Sequence, residues 1–588
     1  MAYEYAFVLL KYTIPPAVFL TAILRPLLTR LDLYKILILI LAAFFATVPW
    51  DSLLIRLGVW TYPPDAVIGW TFFKIPVEEL FFIVIQTYIT SLLYILIHKP
   101  VLHAQFLSNY EDSPRSNRRI SRFGCVYLCL EIIRGVSHIA LGGKLLYSGL
   151  IIVWAAPVIL LSWTSSAYFL LRIPKHLFIL SFMLPTIYLS VVDEFALSRG
   201  IWVIETGTKI DVRVFGSLEF EEAYFFMTSN FLIALGMAAL DKGAAVLDTL
   251  PGTRAGGSRK ASLVSLVRAT FMNPNKYNMK RIRGIRKAIE TIQKRSQSFY
   301  LASSLFTGRL RTDLVLLYSF CRVADDLVDG SRTEAEALAW IQKLTSYFDL
   351  VYGNPNNRHA DSVISYTKAN FPEDAQSALE LLPTTFLPSG PLYELINGFK
   401  MDLAFARKDF PIKDEAAIQV YARRVASTVG ELCLRLVFHH SSVTLREEDE
   451  TRLLEAAVNM GYALQYVNIA RDIEADAEIG RVYLPTTWLK EGELTPQDVL
   501  SDPTQPKIEA VRQRLLGLAF REYSRSRNVM SLLPDEVRGP LVVAVESYME
   551  IGRVLRERRV LAPGTKGGRV TVPRLRSLWV AWKNMQNA

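Results

Sequence analysis

Four acidic pairs in this chain have residue types and spacings that could do chemistry. In the C-terminal half, Asp325 and Asp329 close the run Tyr318-Ser319-Phe320-Cys321-Arg322-Val323-Ala324-Asp325-Asp326-Leu327-Val328-Asp329. Asp472 and Asp476 close a second run, Gln465-Tyr466-Val467-Asn468-Ile469-Ala470-Arg471-Asp472-Ile473-Glu474-Ala475-Asp476. On a helix, positions i and i+4 share a face, so each Asp-x-x-x-Asp presents paired carboxylates. Two such faces across a cavity can hold Mg²⁺, which prefers oxygen ligands and bridges carboxylates to substrate phosphates. Arg322 and Arg471 stand beside the pairs as anion-holding groups. A single pair of this kind is ordinary on a solvated helix face. Here both sit among apolar neighbours, Phe320, Val323 and Leu327 for one and Leu464, Val467 and Ile469 for the other.

The N-terminal half carries Glu78-Glu79 within Pro76-Val77-Glu78-Glu79-Leu80-Phe81-Phe82 and Glu221-Glu222 within Glu219-Phe220-Glu221-Glu222-Ala223-Tyr224-Phe225. Acids inside apolar segments are costly and mark function. An apolar cavity favours the neutral carboxylic acid. Such an acid could protonate a carbon–carbon double bond and start a cationic cyclisation, while a second carboxylate stabilises the cation or takes the departing proton. The sequence leaves open which of the four glutamates is the proton donor.

These residues need elements to position them. The chain has 588 residues, is 51% hydrophobic and carries a formal net charge of +10. The first 240 residues are dense in Leu, Ile, Val, Phe and Trp. Crossing a bilayer takes about 20 apolar residues, and candidate spans fall near 3–24, 35–50, 75–97, 123–141, 146–171, 176–197 and 218–240. Loops after odd-numbered spans carry ten Lys and Arg and those after even-numbered spans six. Basic residues favour the cytosolic side, which places the C-terminal half there. An internal repeat relates the spans: Asp51 maps to Asp193 and Trp60 to Trp202 at an offset of 142, and the Glu-Glu pairs align with a one-residue slip. Spans two and three thus echo spans six and seven.

Residues 243–280 are rich in Gly, Ser, Arg and Asn and read as a basic, flexible connector near an anionic surface. From about residue 283, helical periodicity dominates. The expected architecture is all-α: a seven-span membrane domain with an internal repeat over 1–242, a linker over 243–282, and a soluble helical bundle over 283–588. Cys125, Cys129, Cys321 and Cys433 show no zinc spacing or disulfide framework. No G-x-G-x-x-G follows a strand, so a dinucleotide fold is not supported. The basic excess is read as membrane-surface charge and not as a nucleic-acid footprint. A retinal pigment would need a lysine inside the last span, and residues 218–240 contain none.

The duplicated Pro-x-Glu-Glu pattern resembles the small, flavin-free membrane lycopene cyclases; the second copy departs from it with Glu219 in place of Pro76. The resemblance implies that Glu78, Glu79, Glu221 and Glu222 are catalytic in closing the end rings of lycopene. The C-terminal half resembles the squalene and phytoene synthases through Ser298-Phe299-Tyr300-Leu301-Ala302, Asp325 to Asp329, Met401-Asp402-Leu403, Tyr421 to Gly430, and Asn468 to Asp472 continuing to Gly480-Arg481-Val482-Tyr483-Leu484-Pro485. Asp326 stands where that family more often has Glu. The resemblance implies an isoprenoid synthase bundle with Asp325, Asp329, Asp472 and Asp476 holding Mg²⁺, or Mn²⁺ as the alternative. It also implies that Ser298, Tyr300, Arg322, Asn468 and Arg471 bind substrate and that Tyr421 faces the cation. The implied reaction joins two geranylgeranyl diphosphates to phytoene through a cyclopropyl intermediate, with no flavin or NADPH. The fusion resembles the bifunctional enzymes of fungal carotenogenesis. It implies a separate phytoene desaturase as functional partner, and an endoplasmic reticulum or related membrane. The competing reading is a squalene-synthase-like enzyme whose membrane half is only an anchor or scaffold.

Overall fold

The structure is a computed structural model. It describes residues 3–250, 262–353, 361–407, 409–561 and 570–586, without the side chains of 297, 298 and 558–561. The chain divides into two compact units. Of the described residues, one comprises those up to 283 and the other those from 284 onward.

The first unit contains α1 (Glu4–Tyr12), α2 (Ile14–Leu24), α3 (Arg30–Arg56), α4 (Val77–His98), α5 (Arg115–Leu141), α6 (Leu146–Leu170), α7 (Lys175–Leu197), α8 (Phe220–Thr249) and α9 (Leu263–Thr270). Taking α1 and α2 together, seven helical stretches are long and apolar enough to cross a membrane. The break at Thr13 precedes Pro15 and Pro16, which cannot donate to the preceding turn.

The second span runs longer than the expected 35–50. Asp32 and Lys35 do not end it, because Lys35 donates to Asp241 at 2.6 Å and Lys99 lies 3.4 Å from Asp32. Charges paired inside the bundle no longer have to face water.

The repeat is visible in the element order. After α3 come β1 (Trp60–Thr61), β2 (Thr71–Phe72) and β3 (Ile75–Pro76), leading into α4. After α7 come β4 (Val203–Ile204), β5 (Arg213–Phe215) and β6 (Leu218–Glu219), leading into α8. Both helices α3 and α7 end on a glycine at positive φ, Gly58 at 67° and Gly200 at 66°. The next residue then bonds back across the turn, Val59 N–H to the Leu54 carbonyl at 3.0 Å and Ile201 N–H to that of Ala196 at 3.2 Å. A left-handed residue at this position satisfies end carbonyls, and glycine adopts it without strain. The chains leaving the two turns pair with each other, Trp60 opposite Ile204 and Thr61 opposite Val203.

The segment expected as a flexible connector, 243–282, is largely helical where described. Residues 243–249 continue α8, and α9 packs on α8. The buried ammonium of Lys242 accounts for this docking: it donates to the Thr270 carbonyl at 2.9 Å and to that of Ser165, tying the ends of α9 and α6 together. Residues 251–261 of that expected linker lie outside the described residues.

The second unit has helices and no strand among its described residues. Beginning in the preceding segment, its helices are α10 (Met279–Arg295), α11 (Gln297–Ser303), α12 (Gly308–Asp329), α13 (Glu334–Gly353), α14 (Asp361–Asn370), α15 (Glu373–Glu380), α16 (Ser389–Ala406), α17 (Glu415–Ala422), α18 (Thr428–His440), α19 (Glu447–Glu478), α20 (Thr486–Glu491), α21 (Pro496–Ser501), α22 (Pro506–Arg527), α23 (Asp535–Leu561) and α24 (Arg574–Gln586). A π-helical turn, Arg423–Ser427, joins α17 to α18. Such turns recur at functional sites. This one packs against α19 and α16, the helices that carry the second Asp pair and Asp402. One apolar core runs through the unit, with Phe320, Phe348, Leu392, Val467 and Leu515 among its buried members.

Candidate active sites

In the first unit the two Glu-Glu pairs start α4 and α8, where the helix N-termini favour negative charge. Adjacent residues on a helix point in different directions, and the members of each pair divide accordingly. Glu78 accepts the Ile68 N–H at 2.7 Å, and Glu221 accepts the Ile210 N–H at 2.7 Å. Each therefore pins the loop that precedes its own helix.

Glu79 and Glu222 turn into a cavity instead. Glu79 accepts the hydroxyls of Tyr5 and, at 3.1 Å, Tyr62. Glu222 accepts the Tyr147 hydroxyl at 2.8 Å and the Trp60 indole N–H at 3.1 Å. Tyr5 and Tyr147 are themselves 142 apart, as are Pro15 and Pro157, so the repeat extends to the first and fifth spans. The cavity is otherwise apolar, lined by Val8, Leu9, Phe82, Leu189 and Phe226, with Asp193 as its third acid. This is a water-poor space of hydrocarbon character holding convergent carboxylates, suited to an alkene undergoing acid–base chemistry. Glu219, the departure from the first copy, is held by Lys209 at 2.9 Å and lies off this cavity.

In the second unit, α12 and α19 each present one Asp pair, and their acids are met by arginines. Arg322 lies 2.9 Å from Asp325 and 2.6 Å from Asp326. Asp326 also faces Arg295 at 3.5 Å. Arg471 grips Asp472 through two nitrogens, at 2.8 and 2.5 Å, and donates to Asn468, which also receives the Tyr548 hydroxyl at 3.0 Å. Arg481 reaches across from the end of α19 to Asp329, at 2.9 and 3.3 Å. Next to Arg481, Tyr483 donates to Asp402 at 2.9 Å, and Tyr421 donates to the other oxygen at 3.4 Å. The rings of Tyr421 and Tyr483 stack at 5.0 Å. Asp476, Arg481 and Tyr483 line one small pocket, which joins the second pair to this network.

Tyr300 is half-buried on α11, which packs on α12 and α23. The side chain of Ser298 lies outside the described residues.

The electrostatics show a cluster of acids short of positive charge. Burial and the neighbouring Asp329 carboxylate push Asp325 up to about 6, against the opposing pull of Arg322. Burial pushes Asp402 up to about 7, partly offset by Arg481 and the Tyr483 hydroxyl. Among the described residues, no group of three His, Cys, Asp or Glu side chains forms a ready-made metal cage. The donors are all carboxylate oxygens, presented as separate pairs. Such a set fits a hard divalent cation that completes its shell with phosphate and water.

Sequence reasoning missed Tyr5, Tyr62 and Tyr147 around the glutamates, marked Trp60 only as a repeat mate, and missed Arg481 and Asp402 as site residues. The shared offset of 142 would have found Tyr5 and Tyr147. Arg481 and Asp402 stood inside motifs already singled out.

Comparison with known proteins bears on both units. Residues 292–576 match the Squalene/phytoene synthase family. The whole chain is 50% identical over 588 residues to a bifunctional lycopene cyclase/phytoene synthase of Colletotrichum graminicola, covering 100% of each chain. It is 47% identical to one of Podospora anserina, again covering 100% of both. Among solved structures, a dehydrosqualene synthase in complex with ligand matches at 22% identity and a TM-score of 0.41, over 53% of this chain and 98% of that one.

Proposed function

Because the chain belongs to the bifunctional lycopene cyclase/phytoene synthases, we propose that its second unit condenses two geranylgeranyl diphosphates to phytoene and its first unit closes the end rings of lycopene. The observation that carries the ring-closing half is the apolar cavity into which Glu79, Glu222 and Asp193 converge. Closing a ring by protonation and proton loss needs an acid, a base and exclusion of water, and no net redox change. The cage hydroxyls of Tyr5, Tyr62 and Tyr147 orient the glutamates. Glu78 and Glu221 fix the loops that carry Trp60, Tyr62 and their repeat mates.

In the second unit, Asp325, Asp329, Asp472 and Asp476 would hold Mg²⁺. When bound, Mg²⁺ supplies the positive charge that neutralises a departing diphosphate. The chain's own residues do the rest. Arg322 and Arg471 hold anionic oxygens in place. Asn468 and Tyr548 fix Arg471, and Arg481 fixes the Asp329 carboxylate. The first allylic carbon–oxygen bond breaks, its cation is attacked by a double bond of the second substrate, and loss of a proton closes the cyclopropyl intermediate. Loss of the second diphosphate, rearrangement and loss of one proton give phytoene. Tyr421 and Tyr483, stacked on each other and bonded to Asp402, would offer aromatic surface that stabilises a passing cation.

The membrane reading is seven spans with the second unit on the cytosolic side, supported by the excess of Lys and Arg in loops after odd-numbered spans. The endoplasmic reticulum or a related membrane is the proposed site. Phytoene leaves to a separate desaturase, and lycopene returns to the first unit.

The test is to express the full chain in cells that accumulate lycopene and separate the pigments. Formation of γ- or β-carotene supports the ring-closing assignment. Unchanged lycopene, with the chain present in the membrane and making phytoene, reduces the first unit to an anchor or scaffold.

A further inference from the structure

The repeat builds two related half-sites, and they have not been kept alike. Asp51 on α3 and Asp193 on α7 are mates at an offset of 142. Both are enclosed, at 1% and 2% exposure, and neither oxygen of either carboxyl has a hydrogen-bond partner. The Trp202 indole bears on Asp193 from outside hydrogen-bond geometry.

On the Asp51 side the space is filled. The Trp50 ring stacks on Trp154 at 4.9 Å and on Phe225 at 5.4 Å. On the Asp193 side the residues at the matching offset are Val192 in place of Trp50 and Tyr12 in place of Trp154. The cavity opens there, and Asp193 lines it together with Glu79 and Glu222.

The three acids in the cavity differ in their partners. Glu79 and Glu222 each accept two hydrogen bonds from O–H or N–H groups. In each, both bonds converge on one carboxylate oxygen, Oε2 of Glu79 and Oε1 of Glu222. Asp193 has no donor, and a buried charge without a partner is expensive. The group that holds a transferable proton against the cavity is therefore the aspartate.

We propose that Asp193 is the catalytic proton donor of ring closure and that Glu79 and Glu222 stabilise the cation and take the proton back; this rests on the lycopene-cyclising reading above. The O–H bond of Asp193 breaks as its proton goes to C2 of the acyclic end. The C1=C2 π electrons form that C–H bond and leave a cation at C1. The C5=C6 π electrons close the C1–C6 bond and move the cation to C5. A glutamate carboxylate removes the proton on C6, whose bonding electrons restore C5=C6. Asp193 is left as carboxylate and the glutamate as acid. Return of that proton to Asp193 completes the cycle with no co-reactant.

The test uses the full chain in nanodiscs with lycopene as the probe, reading bound lycopene by its absorbance and ring products by chromatography. Phytoene synthesis by the same preparation measures intact protein. Asp193→Asn is expected to bind lycopene as wild type does and to form rings at least 100-fold more slowly. Asp193→Glu, which keeps an acid, is expected to recover part of the rate. Asp51→Asn is expected to cost at least 10-fold less than Asp193→Asn. The proposal is overturned if Asp193→Asn keeps more than a tenth of the wild-type rate, if its loss of rate tracks a loss of lycopene binding, or if Asp51→Asn is the more damaging. A wild-type chain that binds lycopene and forms no ring would instead defeat the cyclase reading itself.

Discussion

Replacing the two members of a glutamate pair should have unequal consequences. In Glu79→Gln the amide oxygen can still accept the hydroxyls of Tyr5 and Tyr62, which share one carboxylate oxygen, Oε2. Both hydrogen bonds lose their charge assistance, at a cost of about 1 kcal/mol each. The charge facing the cation is lost as well, and removing one preorganised electrostatic group typically lowers kcat by about 10²–10³. In Glu78→Gln the amide oxygen can still accept the Ile68 N–H. Only the charge-assisted part of one hydrogen bond disappears, about 1 kcal/mol, or less than about 10-fold in rate. The same division holds for Glu222→Gln against Glu221→Gln, whose partner is the Ile210 N–H. Initial rates of ring formation by the full chain, normalised to phytoene made by the same preparation, measure the difference. Glu78→Gln proving as slow as Glu79→Gln would refute the division between loop-pinning and cavity-facing glutamates.

Further outcomes follow from the second unit. Removing divalent metal with a chelator is expected to stop phytoene formation and leave ring closure at its original rate, with restoration on adding Mg²⁺; equal loss of both would contradict the assignment of the Asp pairs. Asp402 is pushed up to about 7 by burial, so the folded chain keeps this proton where the unfolded chain, with a carboxyl near 4, has lost it. The associated stability is complete below about pH 4 and falls as pH rises to about 7, by a total of order 4 kcal/mol. Hydrogen exchange of α16 amides in the chelated protein should show that fall, and Asp402→Asn should flatten it. Gly461→Ala places a Cβ 2.4 Å from the Ser427 Cα in the π-helical turn. The clash should cost about 1–3 kcal/mol and lower the unfolding midpoint of the second unit, together with phytoene formation.

Much of this was legible in the sequence for a physical reason. Paired aspartates four apart share a helix face whatever surrounds them, so both pairs could be placed before any fold was known. The internal repeat fixed the glutamate pairs in the same way. What stayed hidden depended on partners distant in sequence. Whether Glu78 or Glu79 faces the cavity is decided by the Ile68 amide and by Tyr5, which lies 74 residues from Glu79. The second span extends to Asp32 because Lys35 finds Asp241, 206 residues away. The connector reads as flexible by composition, yet the buried Lys242 ammonium docks α9 on the bundle. Arg481 gains its place from Asp329, 152 residues before it.

Two separate active sites in one chain can be disabled one at a time. Wild type, Glu79→Gln and Asp329→Asn full chains are supplied in parallel with geranylgeranyl diphosphate and Mg²⁺ or with lycopene, and both products are quantified. Glu79→Gln is expected to make phytoene at the wild-type rate while ring formation collapses, and Asp329→Asn to do the reverse. Loss of both products in either variant, or ring formation unaffected by Glu79→Gln, would contradict that separation.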